Sequence, residues 1–129
     1  MSIRKMTALH PSANGHTNEF MAQAAKHAMY CALFCTSCAD ACAAEPMDMA
    51  QCIRTCLDCA DICTAAAKVA VRQTASNDAM VRPMLIACME ACFLCAAECE
   101  KHDHEHCRLC ATMCRECGDD CREALATLH

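Results

Sequence analysis

The sequence predicts an all-α protein: an antiparallel up-down-up-down four-helix bundle with a cysteine-lined core and a short N-terminal arm or helix. The first observation is a spacing. Cys31, Cys35, Cys38 and Cys42 read C-x3-C-x2-C-x3-C. The register recurs at Cys52, Cys56, Cys59 and Cys63, at Cys88, Cys92, Cys95 and Cys99, and at Cys110, Cys114, Cys117 and Cys121, with Cys107 as a prefix to the last copy. Steps of four, three and four come close to three turns at ~3.6 residues per turn, so each set falls within about 60° on one face, a stripe roughly 16 Å long. On strands these steps would scatter the thiols over both faces. The second observation is that only 2 Gly and 3 Pro interrupt the chain, which favours long helices. The third is that the first two copies are separated by a very short break, as antiparallel neighbours require.

Residues 1–16 are polar and broken by Pro11 and Gly15; they read as an arm or a short helix over Ser2–Leu9, and residues 17–129 as the bundle. The first long helix begins near Thr17 or Asn18, either of which can serve as N-cap, and runs to about Glu45, before Pro46. Its stripe extends back to His27, Ala24 and Phe20. The second helix runs from Met47 or Asp48 to about Gln73. Ser76 or Asn77 caps the third, where Pro83 either delays the helix to about Arg82 or kinks its first turns; it continues to about Lys101. The fourth runs from Asp103 or His104 to Leu125 and tolerates Gly118 at a cost of ~1 kcal/mol relative to Ala. Asp40, Arg54, Asp58, Asp61, Lys68, Glu90, Glu98, Arg108, Arg115, Glu116 and Glu123 avoid the stripes and form a solvated face.

Alternating helix directions stack the stripes in layers. The expected layers are Cys31, Cys63, Cys88 and Cys121; Cys35, Cys59, Cys92 and Cys117; Cys38, Cys56, Cys95 and Cys114; and Cys42, Cys52, Cys99 and Cys110, with Cys107 one turn beyond the last. One end gathers Phe20, Ala70, Met84, Leu85, Leu125 and Leu128 as an apolar plug, with His27 one turn outside the first thiol layer. The other holds Glu45, Met47, Asp48, Met49, His102, His104, His106 and Cys107. Thioether and imidazole groups at that mouth can pass a soft cation inward.

With 17 cysteines in 129 residues the chain exceeds the level typical of disulfide scaffolds. Yet Arg4 and Lys5 are followed by no apolar run of a signal peptide. The expectation is therefore a cytoplasmic protein with reduced thiols, whose cysteines serve metal or redox chemistry. A net charge of −5 gives no basic footprint for nucleic acid, and no stretch is read as long and apolar enough to span a membrane. Thiolates select Cu(I), Zn(II) or iron–sulphur clusters. With metal–sulphur bonds of ~2.3 Å, a near-linear S–M–S unit needs sulphurs about 4.6 Å apart, within reach of both neighbouring positions on one helix and facing positions on two. Cu(I), which accepts bridging thiolates, can fill such a tube with many ions. Zinc, one tetrahedral ion per layer, would leave Cys107 idle; counting alone does not exclude it. The bacterial cluster run ending in Cys-Pro is missing. The C-x-x-C pairs Cys35/Cys38, Cys56/Cys59, Cys92/Cys95, Cys107/Cys110 and Cys114/Cys117 suggest thioredoxin chemistry, but they sit mid-helix without a βαβ context. Cysteine as a mere small hydrophobe suits one or two positions, not four matched stripes. His27 reads as a core histidine, Met47 and Met49 as helix-start packing, and His102, His104 and His106 equally as a polar turn or an ion relay.

The fourfold register over about Thr17–Leu128 resembles the bacterial copper storage proteins, in their cytosolic branch. That resemblance implies a bundle that binds multiple Cu(I) ions per chain through the register cysteines and Cys107. It carries the mouth role onto His102, His104 and His106, and implies assembly as a homotetramer. The expected function is cytosolic storage or buffering of Cu(I), not catalysis. The expected partners are copper ions and further copies of the chain, with no nucleic acid and no membrane. A zinc or general thiophilic metal buffer, or a thiol redox enzyme, is the alternative.

Overall fold

The structure, a computed structural model, describes residues 2–129. Five α-helices follow one another: α1 Ile3–Ala8, α2 Glu19–Ala43, α3 Ala50–Ala70, α4 Asp78–Cys99 and α5 Glu105–Leu125, with no strand among the described residues. Two starts are fixed by side-chain caps. Ser2 accepts a hydrogen bond from the Lys5 amide, and Asn18 accepts one from the Met21 amide, each satisfying a donor the first turn leaves free. The long helices end two or three residues earlier than expected around Pro46 and Gln73. Asp48 Oδ1 accepts from the Ala50 amide at 2.9 Å and holds the chain in a turn before α3 begins. Pro83 neither delays nor splits α4, which runs through it from Asp78; only one intrahelical hydrogen bond is forgone in the second turn.

Helices α2 and α4 each pack against both α3 and α5, so the four close into a ring, and α1 lies on α2. Alanines flank the stripes: Ala24, Ala25, Ala28, Ala32 and Ala39 on α2, and Ala60, Ala66, Ala67 and Ala70 on α3, are all buried. Their small side chains let the backbones approach until facing thiols touch. The largest fully buried side chains are cysteines, so sulphur fills the volume that leucine and phenylalanine fill in an ordinary bundle.

The apolar end is closed by Ala70 and Leu85, both buried, with Met84, Leu125 and Leu128 against them. Phe20 does not join this plug. It is 50% exposed, because the first turn of α2 faces Ile3 and Arg4 of α1 and the Asp120–Glu123 side of α5 instead of the axis. The N-terminal segment is pinned over the same end. Thr7 and Thr17 hydroxyls share a hydrogen bond of 2.7 Å, Gln73 Nε2 donates to the Thr7 carbonyl at 2.9 Å, and Arg4 pairs with Glu19 at 2.8 Å.

Helix α4 corrects one expectation. Over Asp78–Cys99 it is long and apolar enough, by length and composition, to cross a membrane, with a mean hydropathy of 1.7. Its Cys, Ala, Met and Leu residues all score as apolar, yet Cys88, Cys92, Cys95 and Cys99 face the bundle axis and are buried. Among the charged residues expected on the solvated face, Glu98 departs. It is held largely inside by Lys101 Nζ at 3.2 Å and His102 Nε2 at 3.0 Å.

Candidate metal centre

All 17 cysteines are buried and free. Helix geometry delivers four stripes to one axis, but not as flat layers. Cys31 lies 3.8 Å from Cys92 and 3.5 Å from Cys114, and it also meets Cys59. Cys35 lies 3.8 Å from Cys95 and 3.6 Å from Cys114. Cys63 sits 3.5 Å from both Cys88 and Cys92. Cys56 touches Cys95 and Cys99 at 3.7 Å. Cys63, Cys56 and Cys35 each nest between two sulphurs on the neighbouring helix, Cys35 between Cys110 and Cys114, as knobs do between ridges, so these interfaces are offset by about half a step. The expected layer of Cys31, Cys63, Cys88 and Cys121 is a tilted spiral. Cys121 has slid one and a half steps outward from Cys31 and meets Cys88 and Cys117 instead.

The same stagger brings diagonal helices level. Cys31 with Cys92 and Cys35 with Cys95 are close diagonal pairs from α2 and α4. Cys63 with Cys117, Cys59 with Cys114 and Cys56 with Cys110 interleave them from α3 and α5. Compact quartets result: Cys31, Cys59, Cys63 and Cys92; Cys31, Cys35, Cys59 and Cys114; Cys35, Cys95, Cys110 and Cys114; and Cys38, Cys56, Cys99 and Cys110. Within each, all sulphurs lie within 4.8 Å of one another. Successive quartets share members, so the sites are continuous.

Cys107 also moves relative to expectation. It is not a turn beyond the last thiol but joins a group with Cys38, Cys42 and His106, because the stagger sets α5 inward at this end. His106 Nδ1 lies 3.3 Å from Cys38 Sγ and 3.6 Å from Cys107 Sγ, and its Nε2 lies 3.2 Å from Glu45. His104 stacks on His106 with centroids 5.4 Å apart, and its Nδ1 meets the same Glu45 oxygen at 3.0 Å. His102 stands apart, turned to Glu98. Met49 is buried and Met47 half-exposed.

Charge is distributed unevenly among the thiols. Cys42, Cys52 and Cys107 are pushed up, first by burial, and Cys42 reaches about 11. Burial in apolar surroundings penalises a thiolate. Cys38 goes the other way, to about 6, because Cys110 and then Cys56 hydrogen-bond to its sulphur, with His106 adding to the effect. His106 is raised, first by Cys38 and then by Glu45.

His27 keeps its place on the stripe of α2, one turn before Cys31, but both ring nitrogens are turned to α5. Nδ1 meets Asp120 in a short contact and Nε2 lies 3.6 Å from Glu116. Nothing local in the sequence marks Asp120 or Glu116 as its partners, since they lie some ninety residues away.

A ring of helices around a continuous column of reduced thiols defines a protein that binds soft metal ions in its interior. The chain belongs to the copper storage protein family, whose sequence profile matches residues 17–126. It is similar to the copper storage protein Ccsp of Streptomyces lividans loaded with 10 copper equivalents: 42% identity, 98% of this chain and 100% of that one covered, TM-score 0.93. A structure of copper loading to a cytosolic copper storage protein of the same organism, with five coppers, is 47% identical over 86% of this chain and 96% of that one, TM-score 0.84. An uncharacterised cysteine-rich protein, YhjQ, of Bacillus subtilis (strain 168) is 34% identical over 58 residues, 45% of this chain. That match spans about half of the curated relative's length, 54%.

Proposed function

We propose that the chain stores or buffers multiple Cu(I) ions in the cytosol, held by Cys31, Cys35, Cys38, Cys42, Cys52, Cys56, Cys59, Cys63, Cys88, Cys92, Cys95, Cys99, Cys107, Cys110, Cys114, Cys117 and Cys121. The observation that carries this reading is the sharing of thiols between successive quartets. Isolated tetrahedral zinc sites need four ligands each to themselves, whereas Cu(I) accepts two or three sulphurs and lets one thiolate bridge two ions. Each ion displaces thiol protons, so binding weakens as pH falls. His106 serves as the imidazole ligand of the Cys38–Cys42–Cys107 group, and His104 buttresses it through Glu45. His102 takes only a peripheral part. The storage unit is the bundle over residues 17–129, with residues 1–16 as an arm and short helix.

The protein is not an enzyme in this reading; its thiols are buried and its C-x-x-C pairs lie mid-helix. Apolar side chains left outside the core, among them Leu57, Ile86 and Leu94 on α3 and α4, support a homo-oligomer, the tetramer that family membership suggests. Light scattering of Leu94→Glu should then show a smaller assembly than that of the unaltered chain.

The test of storage is an anaerobic titration of the reduced protein with Cu(I), read by native mass spectrometry. Binding at or above half the cysteine count supports the tube. Saturation at about four ions would point to zinc-like sites with private ligands.

A further inference from the structure

We propose that the outer face of α2 is a contact between two copies of the chain, which cross antiparallel at Leu33 with Lys26 of each copy paired to Asp40 of the other. This rests on the homo-oligomer of the storage reading and adds to it a second, separate face and the charges that set its direction.

The outside of α2 lacks the chemistry of a solvated helix. Residues 27–39 contain no Asp, Glu, Lys or Arg, and the one imidazole there, His27, is buried against α5. In the same stretch Met29, Tyr30, Leu33 and Phe34 are 39%, 46%, 64% and 36% exposed. Leu109 of α5, 60% exposed, extends the patch beside Leu33 and Phe34. Helices α3 and α5 carry the same kind of thiol stripe, yet both turn charges outward, among them Arg54, Asp58, Asp61 and Lys68 on α3 and Arg108, Arg115, Glu116 and Glu123 on α5. A helix that faces water carries a polar face opposite its buried one. α2 has no charge on that face for roughly three and a half turns, so the face belongs against another apolar surface.

The ends of the patch say what covers it. Steps of four, three, four and three residues link Lys26, Tyr30, Leu33, Ser37 and Asp40, all exposed. They form one stripe on the side of α2 opposite the thiols. Leu33 stands at its middle. Lys26 lies seven residues before it and Asp40 seven after, a cation and an anion each about 10 Å from the centre. Lys26 lies over the ring of its own Tyr30, 5.9 Å from the centroid, and neither it nor Asp40 is in an ion pair among the described residues.

Opposite charges at the two ends select one direction of self-pairing. A parallel pair sets Lys26 on Lys26 and Asp40 on Asp40. An antiparallel pair crossing at Leu33 sets Lys26 beside Asp40 of the second copy, and its two-fold axis makes that contact twice. At the crossing angle of about 20° that such spacing favours, the two stripes have drifted sideways by only about 4 Å at the charges, within the reach of a lysine. The same crossing lays Tyr30 of one copy near Ser37 of the other, which gives the phenol a hydroxyl partner where it loses water. Leu33 and Phe34 supply the apolar area, and the two ion pairs set register and direction. With the apolar face around Leu94 of α4, diagonally across the bundle, each copy has two separate faces, as four copies closing with dihedral symmetry require.

The experiment is sedimentation equilibrium of the full reduced chain and its variants. Leu33→Glu should halve the mass of the assembly and leave Cu(I) capacity unchanged. Lys26→Glu and Asp40→Lys should each weaken association about tenfold. The double variant Lys26→Glu/Asp40→Lys should return to within about twofold of the unaltered chain, because the swap restores both pairs. Carbodiimide coupling of isotope-labelled and unlabelled chains, mixed and reassembled, should join Lys26 of one to Asp40 of the other. Within one chain these residues lie about 20 Å apart along the helix, too far for a zero-length link. This coupling uses unaltered chains, so it decides the matter even if Leu33→Glu folds poorly. A doubled defect in the double variant, or coupling of Lys26 only to acids of α3 or α5, overturns the antiparallel pairing. A tetramer that survives Leu33→Glu overturns this face alone. Loss of co-sedimentation with phosphatidylglycerol vesicles in that variant, at unchanged mass, assigns the face to a membrane and overturns the proposal too. A monomeric unaltered chain overturns the oligomer reading along with it, and Cu(I) capacity, measured separately, tests storage by itself.

Discussion

Two residues show how position changes meaning. Cys107 looks supernumerary as a prefix to the fourth stripe, but it sits among Cys38, Cys42 and His106. Native mass spectrometry of the Cu(I)-loaded Cys107→Ser variant should therefore show about one ion fewer than the unaltered chain; full capacity would mean that Cys107 is idle. His27 continues the α2 stripe but spends both nitrogens on Asp120 and Glu116. It is a strut between α2 and α5. His27→Ala leaves Asp120, whose side chain is 14% exposed, without its partner, and the cost should be about 1–3 kcal/mol. Urea unfolding of the apo protein measures this, and copper capacity should not change. A loss of one ion instead would make His27 a ligand.

At the scale of elements, the α4–α5 pair explains a helix-interior glycine. A Cβ on Gly118 would lie 2.6 Å from Phe93 Cε1, and Arg122 covers the other part of that ring at 5.3 Å. Gly118 thus gives up helix propensity to seat Phe93 between the helices. Gly118→Ala alone should be nearly neutral, since the displaced ring is at the half-buried edge. In a Phe93→Ala background the same change should stabilise by ~1 kcal/mol, the propensity difference between Gly and Ala. Thermal unfolding of the four proteins closes the cycle, and equal effects in both backgrounds would show that the contact is immaterial. The stripes themselves were legible because 3.6 residues per turn converts spacing directly into a face. The half-step stagger was not, because it comes from side chains nesting between those of the next helix, a property of surfaces that no single helix carries.

For the whole molecule, filling the axis with thiols couples stability to metal and to pH. Cu(I) that binds the fold more tightly than the unfolded chain must raise the melting temperature; identical melting of apo and loaded forms would contradict it. Burial raises Cys42, Cys52 and Cys107 above their ordinary value, Cys42 to about 11. In the unfolded chain these groups ionise near 9, so from there upward the unfolded state binds fewer protons than the native one, and stability falls. The contribution of these three groups is therefore full below about pH 9 and is lost as pH rises above it, for Cys42 through about 11; Cys38, lowered to about 6, acts in the opposite sense, its contribution full above about pH 9 and lost as pH falls through 6. Circular dichroism melts across these ranges test this, and a flat profile would show that the thiols remain hydrated.

The sequence alone determined that four helices each present a thiol face and that these faces suit soft metal ions. These follow from local geometry and from the chemistry of one residue type repeated in register. Only the tertiary structure decided which thiols meet, that Phe20 turns away from the plug, and that His102 faces Glu98 while His106 faces Cys38. Those outcomes depend on how far one helix slides and rotates against the next, which is set by the packing of all four together.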